Sequence, residues 1–98
     1  MSQDQTPQSV SPAAKPRLAT GVRLVHNEGQ GGWVLLAPER ILKADPIAAE
    51  ILKRCTGETT VSAIVDDLAS AYSAPRERIL ADVTALLSGL VDKKLIDV

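Results

Sequence analysis

The chain has 98 residues, which allows a single small domain. Aromatic residues make up 2% of it and the formal net charge is −1, so the core must be aliphatic and the chain is not a basic nucleic-acid binder. One cysteine and one histidine exclude an internal disulfide, a cysteine-based metal cage and a paired-histidine metal site. The sequence has neither a run of apolar residues long enough for a membrane span nor a signal-peptide pattern, which predicts a cytoplasmic protein.

The N-terminal residues differ in composition from the rest of the chain. Residues 1–16 contain Pro7, Pro12 and Pro16, and their few apolar residues follow no period. Such a segment buries too little surface to offset the entropy lost on ordering. The sequence therefore predicts a disordered tail or linker over residues 1–16 and a folded domain over residues 17–98.

Three short strands are predicted next, over Val22–His26, Trp33–Leu36 and Arg40–Lys43. The glycine-rich segment 28–32 separates the first two, and Pro38 lies in the turn before the third. Together they predict a three-stranded antiparallel meander. Because a strand and not a helix follows the glycines, a hairpin turn is favoured over a phosphate-binding loop.

Two helices are predicted after the strands. Asp45 followed by proline is a helix start signal, since the carboxylate caps the first turn and proline fits the first helical position. Gly57 is expected to end this first helix. The second helix starts at Thr59 or Thr60, and its apolar residues recur at helical spacing as far as Tyr72.

A third helix begins after Pro75 and carries an unusually broad apolar stripe. Such a stripe either packs against two elements or leaves part of itself open as a groove. The segment after it, residues 93–98, is expected to include an extended stretch that packs Leu95 or Ile96 into the core. The stripe consists of Ile79, Leu80, Val83, Leu86, Leu87, Leu90 and Val91.

The residues that could support catalysis are isolated from one another. His26 and Cys55 have no partner at the spacing that a metal site or an activated nucleophile needs. Asp66 and Asp67 are adjacent on a helix, so their side chains diverge and do not readily share a metal. The sequence therefore predicts a protein that is not an enzyme and that uses neither a cofactor nor a metal.

The charges are distributed unevenly along the chain. Residues 15–54 carry seven bases and four acids, whereas residues 55–98 carry four bases and seven acids. Arg78 and Asp82, four residues apart on the third helix, are expected to form a weak surface pair. The strand half is thus mildly basic and the helical half mildly acidic.

A winged-helix DNA-binding protein is the main alternative. Three helices followed by a short extended segment resemble the helical part of that fold. The third helix, however, has bases only in its first turn, and the residues after it leave no room for a wing hairpin. A net negative helical half also has the wrong sign for phosphates. The sequence predicts no nucleic-acid partner, and a small enzyme is a further, weaker alternative.

The third strand lies at an edge of the predicted meander. Unpaired N–H and C=O groups at such an edge can accept an added strand from a peptide. The apolar stripe of the third helix could supply the floor beneath that peptide. Either the residues of the stripe line this groove or they are simply part of the core.

Several short motifs between Pro16 and Ile96 resemble a known family. They are Pro16-Arg17-Leu18, Gly21-Val22-Arg23-Leu24, Val34-Leu35-Leu36-Ala37-Pro38-Glu39, Ala48-Ala49-Glu50-Ile51-Leu52, Cys55-Thr56-Gly57, Val61-Ser62-Ala63-Ile64-Val65 and Asp82-Val83. With them the chain resembles the PqqD family of pyrroloquinoline quinone (PQQ) biosynthesis, the prototype of precursor-peptide recognition elements. Related elements often have Leu-Asn where this chain has Ala44-Asp45, a benign change because aspartate caps a helix as well as asparagine does.

The resemblance implies a fold and a function. The fold would be α+β, a three-stranded antiparallel sheet followed by a three-helix bundle of winged-helix type. The protein would be a non-catalytic peptide chaperone, either a monomer or a weak homodimer. It would bind the precursor peptide PqqA and present it to the radical S-adenosylmethionine (SAM) enzyme PqqE, which links a glutamate to a tyrosine side chain within the peptide.

The resemblance also implies where the peptide binds. The peptide would add as a further strand beside the third strand, over a groove shared with the third helix. The expected peptide-binding residues are Glu39, Arg40, Ile41, Leu42, Lys43 and Ala44 on the strand and Ile79, Leu80, Val83, Leu86 and Leu87 on the helix.

Overall fold

The computed structural model describes residues 10–98, and residues 1–9 of the predicted disordered tail lie outside the described residues. Its elements in chain order are β1 (Arg17–Leu18), β2 (Arg23–Asn27), β3 (Gly32–Ala37), β4 (Arg40–Ala44), α1 (Pro46–Lys53), α2 (Val61–Tyr72), α3 (Arg76–Asp92) and β5 (Ile96–Asp97). The predicted α+β fold, a three-stranded antiparallel sheet followed by three helices, is confirmed. Within residues 10–98 no helix is both long and apolar enough to cross a membrane.

The three-stranded sheet has the order β2-β3-β4 with both pairs antiparallel. Leu35 in the central strand pairs with Leu24 on one side and with Leu42 on the other. Directly opposed residues point to the same face of a sheet, so these three leucines form a row. All three belong to the hydrophobic core cluster or pack against it, which shows that this face covers the helices.

The turn between β3 and β4 has only two residues, Pro38 and Glu39, because Ala37 pairs with Arg40. Glu39 has φ 67°, in the left-handed region that disfavours residues with a Cβ. Proline followed by a residue of positive φ is the arrangement of a type II turn, in which glycine is favoured at the second position. The tip of this hairpin is therefore held under backbone strain.

Replacing Glu39 by glycine is expected to relieve this strain. The free energy of unfolding should rise by about 0.5–1 kcal/mol, because the removed Cβ conflict outweighs the extra freedom of glycine in the unfolded chain. Urea unfolding of the variant measures the change. Glu39→Ala keeps the Cβ and serves as the control, and an equal gain in that variant would place the effect in the glutamate side chain.

The helix starts follow the capping residues in the sequence. The Asp45 side chain accepts a hydrogen bond from the Ala48 N–H at 2.7 Å, and the Thr60 hydroxyl accepts one from the Ala63 N–H at 3.1 Å. The predicted end of α1 at Gly57 is wrong, since the helix ends at Lys53. The three residues between form an irregular turn, closed where the Gly57 N–H donates to the Pro16 carbonyl at 2.9 Å.

Residues 10–16 are packed against the domain, whereas the sequence predicts disorder there. The Ala14 and Pro12 carbonyls accept hydrogen bonds from the N–H groups of Val61 and Ser62, at 2.9 and 3.0 Å. These are the first two N–H groups of α2, which have no partner within the helix. Val10 is 8% exposed and belongs to the core cluster. The hydrogen bonds to α2 use main-chain carbonyl groups, which the composition of the segment does not reveal.

A second, two-stranded sheet joins the two ends of the domain. Arg17 of β1 pairs with Asp97 of β5, and Leu18 pairs with Ile96. The expected extended stretch after α3 is confirmed, and both Leu95 and Ile96 are buried. Strand β1 is absent from the sequence prediction because two residues are too few to show any alternation.

Ion pairs connect the helices on their outer surface. Arg54, just after α1, pairs with Glu50 of the same helix and with Asp67 of α2. Hydrogen bonds from Lys53 and then from Arg54 hold the pKa of Glu50 below its ordinary value. Arg76, at the start of α3, pairs with Asp66 of α2 and donates to the Ser62 hydroxyl. Three carboxylates on α1 and α2 are thus already neutralised by bases of this chain.

Candidate functional site

One edge of β4 lacks a partner strand within residues 10–98. Residues that flank a two-residue hairpin loop form a hydrogen-bonded pair, and such pairs alternate with non-bonded pairs along the ladder. Arg40, Leu42 and Ala44 therefore direct their main-chain groups to β3. The N–H and C=O groups of Ile41 and Lys43 point away from the sheet, so four main-chain groups are available at this edge.

The side chains of β4 alternate between the two faces of the sheet. Leu42 and Ala44 pack against the core cluster, whereas Ile41 and Lys43 point to the opposite face. The side chain of Ile41 is 56% exposed, which is unusual for isoleucine. Arg40 and Glu39 are exposed at the hairpin tip. All six predicted strand residues lie in this hairpin. Among them, Ile41 and Lys43 have exposed side chains as well as main-chain groups at the sheet edge that are unpaired within residues 10–98.

The five predicted residues on α3 divide into two groups. Val83 and Leu87 have no exposed surface and Ile79 is 9% exposed, so all three belong to the core. Leu80 and Leu86 are half-buried at its margin. A ligand can contact a fully buried side chain only if the core is rearranged, and cores are close-packed. The part of the stripe that can meet a peptide without repacking is therefore carried by Leu80 and Leu86.

A cavity of about 360 Å³ lies between α1 and α3, beside the end of β4. Its lining is largely apolar and includes the buried Ile51, which is 2% exposed, and the exposed Ile47, at 42%. A sequence signal for Ile47 was present, since it lies four residues from Ile51 on the same face of α1. Sequence reasoning did not include most of this lining among the site residues. The cavity is lined by Asp45, Ile47, Ala48, Ile51, Asp82, Ala85 and Leu86.

The single tryptophan lies next to the same hairpin. Trp33 pairs with Ala44 of β4, its ring meets that of His26 edge-on at 5.0 Å, and the Lys53 ammonium lies 4.6 Å from its centroid. A cavity of about 480 Å³ opens between this cluster and the end of β4, at Asp45. The fluorescence of Trp33 should therefore respond to a ligand at the end of β4.

The groups that the sequence identified as isolated are also apart in the structure. Burial raises the pKa of the Cys55 thiol to about 12, so at neutral pH almost none of it is the reactive thiolate. Within residues 10–98 no three acidic, histidine or cysteine side chains come together as a metal site. Arg76, one of the two bases of the first turn of α3, is paired with Asp66 of α2.

The chain is similar in sequence and in structure to known proteins of a single family. Residues 32–96 match the sequence model of the family described as coenzyme PQQ synthesis protein D (PqqD). A PqqA binding protein of Bradyrhizobium diazoefficiens is 49% identical over 85 residues, which cover 87% of this chain and 82% of that protein. A PqqA binding protein of Xanthomonas oryzae is 38% identical, over 90% of this chain and 96% of that protein.

Two solved structures share the architecture. The solution structure of the PqqD truncation of Methylobacterium extorquens PqqCD, a functional and stand-alone recognition element for ribosomally synthesised and modified peptides, superposes with a TM-score of 0.82. It is 39% identical, over 94% of this chain and 98% of that one. The crystal structure of PqqD from Xanthomonas campestris has a TM-score of 0.59 and 34% identity, over 100% and 99% of the two chains. The chain described here therefore belongs to the PqqD family.

Proposed function

We propose that this chain is a non-catalytic adaptor of PQQ biosynthesis, which binds the precursor peptide PqqA as an added strand on β4. It then presents the peptide to the radical SAM enzyme PqqE for the glutamate–tyrosine cross-link. The observation that carries the proposal is the unpaired edge of β4, with the main-chain groups of Ile41 and Lys43 facing outward beside an apolar groove. The relatives named PqqA binding protein support the choice of peptide.

Strand addition divides affinity and selectivity between two parts of the site. Main-chain hydrogen bonds to Ile41 and Lys43 bind an extended peptide of any sequence. Alternate side chains of that peptide point towards the helices, where Leu86 lines the cavity beside the end of β4. Leu80 lies about 120° around α3 from Leu86, at the other margin of the stripe. Selectivity then comes from how well those inward-facing side chains fill the groove. An ordered peptide held with one face accessible is what a modifying enzyme needs as substrate.

In this proposal the chain works as a monomer or a weak homodimer. A dimer formed through β4 would use the same four main-chain groups as the peptide, so the two forms would compete. The reaction chemistry belongs to the partner enzyme, and the adaptor contributes position and extended conformation.

The test is a titration of ¹⁵N-labelled protein with PqqA, first alone and then with PqqE. The amide signals of residues 40–44 and of Leu86 are expected to shift on addition of the peptide. The enzyme should then shift a different set of signals while the β4 shifts persist. Peptide shifts confined to α2 and the N-terminal segment would contradict strand addition. Duplex DNA serves as the control ligand, and salt-dependent binding of it at α3 would favour the winged-helix alternative.

A further inference from the structure

The cavity between α1 and α3 combines an apolar floor with an acidic rim. Ile51 is buried and Leu86 half-buried in its lining, whereas Asp45 and Asp82 in the same lining are exposed, which places the two acids at the rim. Asp45 directly follows the last residue of β4, Ala44. A strand that added to β4 and continued past Ala44 would pass this cavity, within reach of one of its inward-facing side chains.

In the described part of the chain, the two rim acids, Asp45 and Asp82, lack the ion pairs that the acids of α1 and α2 form. Glu50, Asp66 and Asp67 are each paired with a base of this chain. Asp82 forms no ion pair with any residue in the described range, and the predicted pair with Arg78 is not formed. Asp45 uses one oxygen to cap α1 and likewise has no basic partner among residues 10–98.

We propose that the cavity is a specificity pocket for a lysine or arginine side chain of the bound peptide, which deepens the proposed function and rests on it. Such side chains have an apolar stem that can lie along Ile51 and Leu86 while the charged end stays at the rim. Its positive charge then meets Asp45 and Asp82. An acidic side chain would be repelled there, and a purely aliphatic one would leave the carboxylates unmatched.

The two faces of the bound peptide consequently meet opposite charges. Inward-facing residues approach Asp82, whereas outward-facing residues lie beside the exposed side chains of Ile41 and Lys43. The pocket therefore sets the register as well as the sequence of the peptide. A shift of one residue turns the basic side chain away from the carboxylates and towards the Lys43 ammonium.

The experiment is a double-mutant cycle between Asp82→Asn and peptide variants. Each lysine or arginine of PqqA is replaced in turn by methionine, and affinities are measured by Trp33 fluorescence or calorimetry at low salt. Asp82→Asn is expected to weaken binding by about two- to five-fold, the range of an exposed ion pair. One peptide substitution should have no further effect in that variant, which identifies the residue in the pocket. A peptide variant with glutamate at that position should bind Asp82→Lys more tightly than it binds the unaltered protein.

The control is Asp92→Asn, which removes the same charge from the same helix about 15 Å further along its axis. It should leave affinity unchanged. Equal losses in Asp82→Asn and Asp92→Asn, or full additivity for every basic residue of the peptide, would overturn the pocket while leaving strand addition intact. A protein whose β4 signals do not shift with PqqA would overturn both proposals.

Discussion

Replacing Ile41 by proline is expected to weaken PqqA binding by about five-fold or more while the domain stays folded. Proline lacks an N–H, and at Ile41 that N–H faces away from the sheet, so no hydrogen bond to β3 is lost. The peptide carbonyl opposite would be left without a donor on binding. An unsatisfied buried acceptor costs about 1–3 kcal/mol, which corresponds to roughly five- to 150-fold in affinity.

Two controls separate this main-chain effect from other causes. Ile41→Ala keeps the N–H and removes the same exposed side chain, so it should lose much less affinity than Ile41→Pro. Leu42→Pro removes an N–H that bonds to β3 and should destabilise the sheet itself. Calorimetric titration with PqqA and circular dichroism of all three variants make the comparison. Affinity retained by Ile41→Pro would exclude strand addition at this edge.

The second large effect is expected at Leu87. Its side chain has no exposed surface and belongs to the core cluster, so Leu87→Ala should lower the free energy of unfolding by about 2–5 kcal/mol. For a domain of this size that is a large part of the total stability. Urea unfolding followed by the fluorescence of Trp33 measures the loss.

Leu86→Ala is the matched variant, because Leu86 is the next residue and is half-buried at the groove. It should lose less stability, about 1 kcal/mol, and should lower PqqA affinity measurably. Leu87 would then contribute mainly to stability, and Leu86 would contribute more to peptide binding. Equal losses of stability in both variants would contradict the division of the stripe into core and groove.

Local sequence signals predict the helix starts and strands well, because short-range chemistry determines them. Asp45 and Thr60 cap helices through their own side chains, wherever the rest of the chain lies. The turn at Pro38 likewise follows from the fixed φ of proline. The hairpin that forms the candidate site is therefore predictable from the amino-acid sequence alone.

Features that depend on distant partners are not predictable in this way. The broad stripe of α3 does not show that Val83 is core and Leu80 is margin, since that depends on where α1 and the sheet pack against the helix. Disorder is predicted for residues 10–16 from their composition. Composition does not show that their carbonyl groups accept hydrogen bonds from the start of α2. The sequence marks Asp82 only as part of a family motif and as a partner for Arg78, and its position near Asp45 and the end of β4 is seen only in the structure.

The pairing of β1 with β5 has a consequence for how this domain can be joined to other proteins. Arg17 and Asp97 are cross-strand neighbours, so the C-terminal strand ends beside residue 17, and from there residues 10–16 run back along the start of α2. A partner tethered after Val98 would have its linker anchored beside that small sheet, whereas one tethered before residue 10 would have its linker anchored at the segment packed against α2. Free and tethered forms could then share one architecture, with the length of the linker setting the local concentration of the attached enzyme.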